Sequence, residues 1–411
     1  MLVEIHMIQN HAPSNLNRDD TGSPKDCLFG GVLRARISSQ CLKSSIRGSS
    51  VFKEALDELL GIRTRKLPSE ISKQLRSLGC NDEQTIRTIA IRVAAFGKKD
   101  SGTGTDSSET ETDSESEIDS ESGNNSSHSE TSTDLYPKTR QLIFLSLDEI
   151  RTLGEKLKAI LDNEGLSAFD MPKETKKSKK DKSKDLESRL GVLVPRSVDI
   201  ALFGRMTTSK LFEDVQATMQ VAHAISTHKI TRQFDYYTGV DDLNKAAEET
   251  GAGMIGDIEF NSATYYKYFS LDWDSFVKAL GGDVETARKA LGAFIRAAAL
   301  STPTGKQNTF AAHNLPDAIL VEIKAKKQPV SYANAFVKPV RADAERDIVG
   351  ASIAAFSDYR TRLCSAYGIK PEMTAYLAVR EDEIAGAEKV GTLDKLIEAT
   401  IVTLDGRTVG Q

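Results

Sequence analysis

The chain is poor in the residues from which metal sites and cross-links are built. Its 411 residues include four cysteines, Cys27, Cys41, Cys80 and Cys364, with no C-x-x-C spacing. That pattern argues against a zinc knuckle and a disulfide scaffold, and fits a reducing cytoplasm. No run of 18 apolar residues occurs, so no membrane span is expected. The N-terminal MLVEIHMIQN has neither a basic n-region nor an apolar h-region, so no signal peptide is expected. No internal repeat is found. Between residues 100 and 134 there is no Lys or Arg. That stretch holds 11 Asp/Glu and 11 Ser, with Ile118 its one apolar residue. It cannot offset the entropy of ordering and is expected to be disordered.

What is present is a chain long enough for one large core or two to three smaller ones, with 39% hydrophobic residues. The formal net charge is −5, but without residues 100–134 there remain 48 acidic against 54 basic residues, a net +6. A mildly basic remainder is compatible with a nucleic-acid partner; local clustering decides more than the total. A second biased segment, PKETKKSKKDKSKD at 172–185, is lysine-rich and reads as a solvated linker.

The densest local signal lies in residues 10–47, NHAPSNLNRDDTGSPKDCLFGGVLRARISSQCLKSSIR. A polar loop with Arg18, Asp19, Asp20 and Lys25 leads to a turn at Gly30 and Gly31. A short strand follows in which Arg34 and Arg36 alternate against Val32, Ala35 and Ile37. Ser38 and Ser39 then stand where a helix N-cap belongs. Gln40, Lys43 and Arg47 share one face of that helix, and Leu42 and Ile46 share another that packs inward. From Cys27 to Lys53 there are five basic residues and no acidic one. This reads as a strand-to-helix corner with open amides and a cationic ridge, suited to an anionic polymer.

Along the chain, residues 2–8 read as a strand. FKEALDELLG, SEISKQLRSL and DEQTIRTIAIRVAAFG read as helices, as does 138–164. SVDIALFGRM reads as a strand, and residues 215–225 as a half-buried strand by their alternation. DIEFNSATYYKYFSLD alternates again, and the long connection between these last two reads as a protruding hairpin or flap. Helices are expected at 273–281, 283–300 and 344–367, with strands at VEIKA and AYLAVR. The order is α+β, with a helical insertion between two groups of strands.

In HAPSNLNRDD, KDCLFGG, RARISSQCLK, VDIALFGRMTTS, AHAIST, TGVDDL, KQNTFAAHN and SYANAF, taken in order from residue 11 to 336, the chain resembles the CasC family. These are the backbone subunits of type I-E CRISPR Cascade complexes. The resemblance implies an RRM-like (ferredoxin-like) palm sheet, helical fingers as an insertion, and a long thumb hairpin. The implied division is 1–50 for the first part of the palm, 51–195 for the fingers including both biased segments, and 196–411 for the rest of the palm. The thumb lies at about 228–258. The resemblance further implies several copies in a helical filament on one crRNA, kinking it at intervals. It implies other Cascade subunits as partners, target DNA reached through the crRNA, and a separate helicase–nuclease that cuts the target. No cofactor, metal or catalytic residue is implied.

Carried over position by position, Arg18, Lys25, Ser38, Gln40, Lys43 and Arg47 are expected to hold guide-RNA phosphates and sugars. Lys306 in KQNTFAAHN is expected at the backbone too, with Gln307 beside it, while Asn334 reads equally as structural. Ser44 stands where the helix often carries another basic residue, which weakens the ridge. Met206 is expected to wedge at the kinked nucleotide, with Thr238 of the thumb acting beside it. An unbranched apolar side chain can enter between bases. The competing reading makes Met206 a core filler, but its neighbours Arg205, Thr207, Thr208 and Ser209 are too polar for a deep core. Tyr236 and Tyr237 read equally as base-stacking or as packing at the thumb base. Arg18 has the alternative of pairing with Asp19 or Asp20.

The rival reading is an RRM-like CRISPR endoribonuclease. His6 and His11, and His223 and His228, are each five apart, and Asp19–Asp20 and Asp241–Asp242 are adjacent carboxylates. Five apart is wrong for one helical face and puts strand residues on opposite faces. His223 sits in the apolar phase of its strand and reads as a core histidine. Adjacent Asp pairs read as turns or caps. A scaffold acting through the acidic tract is the third reading.

Overall fold

The first strand is longer than its alternation predicts. In the computed structural model, which describes residues 1–96, 135–169, 186–207, 209–239 and 254–408, it runs Leu2–Ser14 and is buried on both faces over most of its length. It can be so because it is central. The strands are β1 (Leu2–Ser14), β2 (Asp26–Phe29), β3 (Val32–Ile37), β4 (Ile62–Thr64), β5 (Ile143–Leu145), β6 (Met219–Val221), β7 (Ala224–Ser226), β8 (Gln233–Gly239), β9 (Met254–Asp272), β10 (Ala318–Lys324), β11 (Met373–Ala378) and β12 (Glu388–Lys389). The main sheet has the order β12-β11-β10-β1-β9-β7-β3-β2, with β6 and β8 also on β9. Its pairings are antiparallel except β11 with β12. The acidic segment 100–134, the lysine-rich segment 172–185 and Asp241–Asp242 lie outside the described residues.

By its contacts the chain divides into two units. The first comprises Met1–Ala55, Met219–Asp274 and Arg288–Gln411 and holds the main sheet. On one face of that sheet the helix Ile348–Tyr367 sets Val349, Ile353 and Phe356 against Tyr266, Leu320 and Tyr376. On the other, Leu42 of the helix Ser39–Gly48 packs with Ile37, Ala224 and Tyr265. Tyr265 and Tyr266, adjacent on β9, serve opposite faces, as a strand requires.

The second unit, Leu56–Thr218 with Ser275–Ala287, is mostly helical. Leu67, Ile71 and Leu75 recur one turn apart on the helix Leu67–Ser77 and are fully buried with Ile86, Ile89 and Val93 of the helix Glu83–Ala94. The helical spacing read in these two segments holds.

Three expectations fail here. The helix expected over 138–164 is β5 followed by the helix Leu147–Glu164. Ser146 and Glu149 form a capping box that starts the helix there, and the S-x-x-E signal was legible. SVDIALFGRM is not a strand, since Val198–Phe203 is helical. A short apolar run does not distinguish strand from helix by periodicity. Here buried Asp199 accepts from the Gly61 amide at 2.8 Å, and Gly204 at φ 80° closes the turn. Residues 215–225 are not one strand either. Val221 faces Phe269 and Ile225 faces Tyr266, so four steps on one strand match three on the other. The extra residue is a bulge, and it reverses the inward–outward phase. His223, expected in the core, is therefore exposed.

Candidate nucleic-acid interface

The corner begins at a two-residue turn. Phe29 pairs with Val32, and Gly30 and Gly31 between them have φ 62° and 76°. Two successive positive φ values match a hairpin turn of the primed type, which glycine adopts without strain. Gly30 has a second reason to be glycine, since a Cβ there would collide with the Val337 carbonyl. Arg34 was counted with the cationic ridge, but it is fully buried. Its guanidinium donates to the carbonyls of Phe29 (3.2 Å), Ser226 (3.1 Å), Phe336 (2.7 Å) and Val337 (3.3 Å). Those four acceptors explain how a charge can sit inside. Asn334, in the short turn Ala333–Phe336, belongs to the segment that Arg34 fastens.

At the other end of the hairpin the chain enters the helix Ser39–Gly48. Ser38 is its N-cap, and the side chain accepts from the Cys41 amide at 3.2 Å. Leu42 and Ile46 are buried, which is worth about 1.5–3 kcal/mol for each side chain. That apolar face fixes the helix and leaves Gln40 exposed and Lys43 and Arg47 half-buried on another side. The first turn contains no acidic residue, so no carboxylate within it offsets its positive dipole end. The amides expected to be open are taken, however: that of Ser38 by Asn17, that of Ser39 by His223 and that of Cys41 by Ser38.

Asn17 joins the preceding loop to the helix start. Its side chain accepts from the Ser38 amide at 2.8 Å, and its carbonyl accepts from the Lys25 amide at 2.8 Å. The Arg36 amide in turn donates to the Lys25 carbonyl at 3.0 Å. Arg18 forms a bridge with Pro24 across the same loop. Asp19 is occupied by its own turn, accepting from the Thr21 and Ser23 amides, each at 3.0 Å. Arg18, Lys25, Ser38, Gln40, Lys43 and Arg47 thus belong to one continuous loop–hairpin–helix feature. Lys306 stands next to it in space, because Gly305 packs against the Asn15 and Leu16 backbones.

His223 joins this corner, and the sequence reading missed it. Its Nδ1 lies 3.3 Å from the Ser39 amide nitrogen and 3.4 Å from an Arg36 guanidinium nitrogen. Only the bulge places it there, and its alternation phase pointed the other way.

Strand β8 and the start of β9 form an arm, paired from Gln233 with Phe260 to Gly239 with Met254. Every residue of β8 is exposed, Thr238 among them. Tyr237 lies over Gly256, where any Cβ would strike its ring, so this tyrosine packs the arm itself. Met206 belongs to the second unit and is 95% exposed, which removes the core-filling reading. Its neighbour Arg205 does not reach solvent but anchors the loop. It is 6% exposed, paired with buried Glu149 at 2.8 Å and bonded to the Phe144 and Glu213 carbonyls. On the other side the Thr207 amide donates to Asp214 at 2.6 Å. Met206 is thus the projecting residue of a tightly rooted loop.

The histidines of the rival reading are otherwise engaged. His6 and His11 are 1% and 0% exposed, and burial pushes both down to about 3. They face opposite sides of β1: His6 contacts Tyr266, and His11 lies by Tyr265. His228 accepts from the Thr264 amide at 3.1 Å through Nε2, and burial lowers its pKa. Glu4, His6 and Glu322 bring donor atoms within 4.8 Å of one another, a spacing that suits a metal ion. Protein cations already fill that role. Lys324 pairs with Glu4 and lies 3.5 Å from Glu322, and Arg360 pairs with Glu322 at 2.7 Å. The site does not fit a further cation.

Residues 3–401 match the family described as CT1975-like protein. A chain of a structure described as "CRISPR RNA-guided surveillance complex, pre-nicking" is 28% identical with a TM-score of 0.75, over 98% of this chain and 100% of that one. A chain of another "CRISPR RNA-guided surveillance complex" is 21% identical with a TM-score of 0.58, again over 98% and 100%, and shares the fold. No curated protein matches the sequence.

Proposed function

Since the chain belongs to the CT1975-like protein family, we propose that it is a non-catalytic, guide-RNA-binding backbone subunit of a type I-E CRISPR surveillance complex. The observation that carries this is the likeness, over 98% of this chain and 100% of the other, to a chain of a CRISPR RNA-guided surveillance complex. The corner supports it: a capped helix start, an acid-free first turn and Lys25, Lys43 and Arg47 around it suit phosphates rather than bases. A guide differs at each locus, so a backbone that grips phosphate and sugar leaves sequence selection to pairing with target DNA.

In this reading several copies line up along one crRNA, alongside other Cascade subunits, in the cytoplasm. Arg18, Lys25, Ser38, Gln40, Lys43, Arg47 and Lys306 hold the strand. Met206 and Thr238 interrupt it at intervals, and a separate helicase–nuclease acts on the bound target. The β8–β9 arm is the thumb. The strand order β10-β1-β9-β7 supports an RRM-like palm, because taken in chain order these are strands 4-1-3-2 of a ferredoxin-like sheet. The burial of His6 and His11 favours the non-catalytic reading over an endoribonuclease. Among the described residues no helix is long and apolar enough to cross a membrane.

The test mixes the protein with labelled crRNA and with a scrambled RNA of equal length, with and without the partner subunits. Light scattering follows particle size and a gel follows RNA integrity. Intact RNA in a multi-subunit particle, with little preference between spacers, is expected. Cleaved RNA, or no particle even with partners present, overturns the reading.

A further inference from the structure

The β8–β9 arm is exposed along β8, and a two-stranded ribbon is marginally stable by itself. Its direction must be set at its root. The stretch from Ser226 to Arg232, which leads into the arm, is stitched to the β2–β3 hairpin of the corner at four places. The Ala35 amide donates to Ser226 Oγ at 3.1 Å, Arg34 donates to the Ser226 carbonyl at 3.1 Å, and the Ile230 amide donates to the Leu33 carbonyl at 3.2 Å. The fourth tie is ionic and lies nearest the arm. Arg232 Nε donates to Asp26 Oδ2 at 3.0 Å, a second guanidinium nitrogen bonds the same oxygen, and the third lies 3.2 Å from Glu259 Oε1.

Each partner belongs to a different part of the grip. Asp26 opens β2 beside Lys25, and its carbonyl accepts from Arg36 Nε at 3.2 Å. Glu259 sits on β9 opposite Phe234, within the arm. One guanidinium therefore spans corner and arm, with its planar fork divided between two carboxylates. Both faces of the Arg232 fork are thus taken by carboxylates. The sequence around it is otherwise acid-free from Cys27 to Lys53, so the carboxylate at Asp26 stands out.

We propose that Arg232, held between Asp26 and Glu259, is a positioning residue that fixes the angle at which the arm leaves the RNA corner, and so sets the spacing at which the arm interrupts a bound strand. This rests on the reading that the corner holds RNA and the arm presses on it. Arg232 itself touches no phosphate in this scheme. Its loss alters the regularity of the bound strand, with at most about a fivefold loss of affinity, the scale of a partly exposed ion pair.

The test assembles the full-length protein, with its partner subunits, on crRNA and maps backbone reactivity along the strand by chemical probing. The wild type is expected to give a regular alternation of protected and reactive nucleotides. Arg232→Glu is expected to blur that alternation while the salt slope of binding stays the same. Adding Asp26→Arg and Glu259→Arg together restores both ion pairs with their signs reversed, an anion between two cations, and is expected to bring the alternation back. Circular dichroism establishes that each variant is folded; if Arg232→Glu is not, Arg232→Gln serves in its place. An unchanged alternation in a folded Arg232 variant overturns the proposal, as does a shallower salt slope, which would make Arg232 a phosphate ligand. Failure of the charge swap to restore the pattern also overturns it. If the wild type protects crRNA without any periodicity, the pressing arm itself is wrong and the proposal falls with it, whereas the phosphate grip stands.

Discussion

Inside the main sheet, Lys324 and Arg360 meet Glu4 and Glu322, and all four residues are at most 5% exposed. At the corner, Lys25, Lys43 and Arg47 remain partly open to solvent beside a helix start without acidic residues. The residue types are the same and the surroundings are opposite. In the sheet each charge is balanced where it stands, by oxygens of the same chain at 2.7–3.5 Å. Such a group is committed to the fold, and its removal strands a buried partner. At the corner the three basic side chains still reach solvent, where a group outside the chain can meet them. The lesson is that a basic residue points to a polyanion through what lies around it, more than through its presence in a basic run. Arg34, buried in the middle of that run, makes the point most directly.

This contrast can be broken at both ends. The largest effect is expected from Glu322→Gln. It leaves Lys324 and Arg360 short of a counter-ion in the interior and should lower stability by about 3–5 kcal/mol, read as a lower midpoint in denaturant. The RNA affinity of the protein that remains folded should not change. Next is the pair Lys43→Ala with Arg47→Ala. Stability should hold within about 0.5 kcal/mol for each substitution. RNA affinity should fall similarly for unrelated spacers, and the slope of log K against log salt should become shallower by about 1.4, two phosphate contacts on a single strand. An unchanged slope would remove both residues from the interface.

A smaller effect tests the interior through protons. His11 is held at about 3 by burial, against 6.5 in the unfolded chain. The unfolded state then binds the extra proton between these values, so stability is complete above about pH 6.5 and is lost as pH falls toward 3. One unit below 6.5 this amounts to about 1.4 kcal/mol, and His6 follows the same course. Denaturant midpoints measured between pH 7 and 5 should decline, and His11→Gln should flatten that decline. The smallest effect on stability is expected from Met206→Ser, since a side chain that is 95% exposed contributes almost no packing. Its effect should appear only in the reactivity of bound RNA, where unstacking at the interrupted nucleotide should weaken. A marked drop in melting temperature would show that Met206 packs in the native state.

Much of the corner was legible because its signals are local. The Gly30–Gly31 turn, the Ser38 cap and the inward Leu42–Ile46 face each depend on residues a few positions apart, and each is found as read. The core spacing of Leu67, Ile71 and Leu75 was legible for the same reason. The helix at Val198–Phe203 was not, because six residues hold too little periodicity to separate it from a strand. His223 was misread through a single-residue bulge whose partner strand lies more than forty positions away. Arg34 and Arg205 were misread as surface charge because their acceptors come from distant segments: Ser226 and Phe336 for one, Phe144 and Glu149 for the other.

By itself, then, the sequence determined the local elements of this protein: where chain reversals fall, which helix face turns inward, and which stretches carry charge. These follow from backbone geometry and side-chain spacing within a turn or two. Tertiary structure alone decided which charges are buried among oxygens of the chain and which still reach solvent. That depends on oxygens brought together from remote parts of the chain, and spacing along the chain carries no record of them.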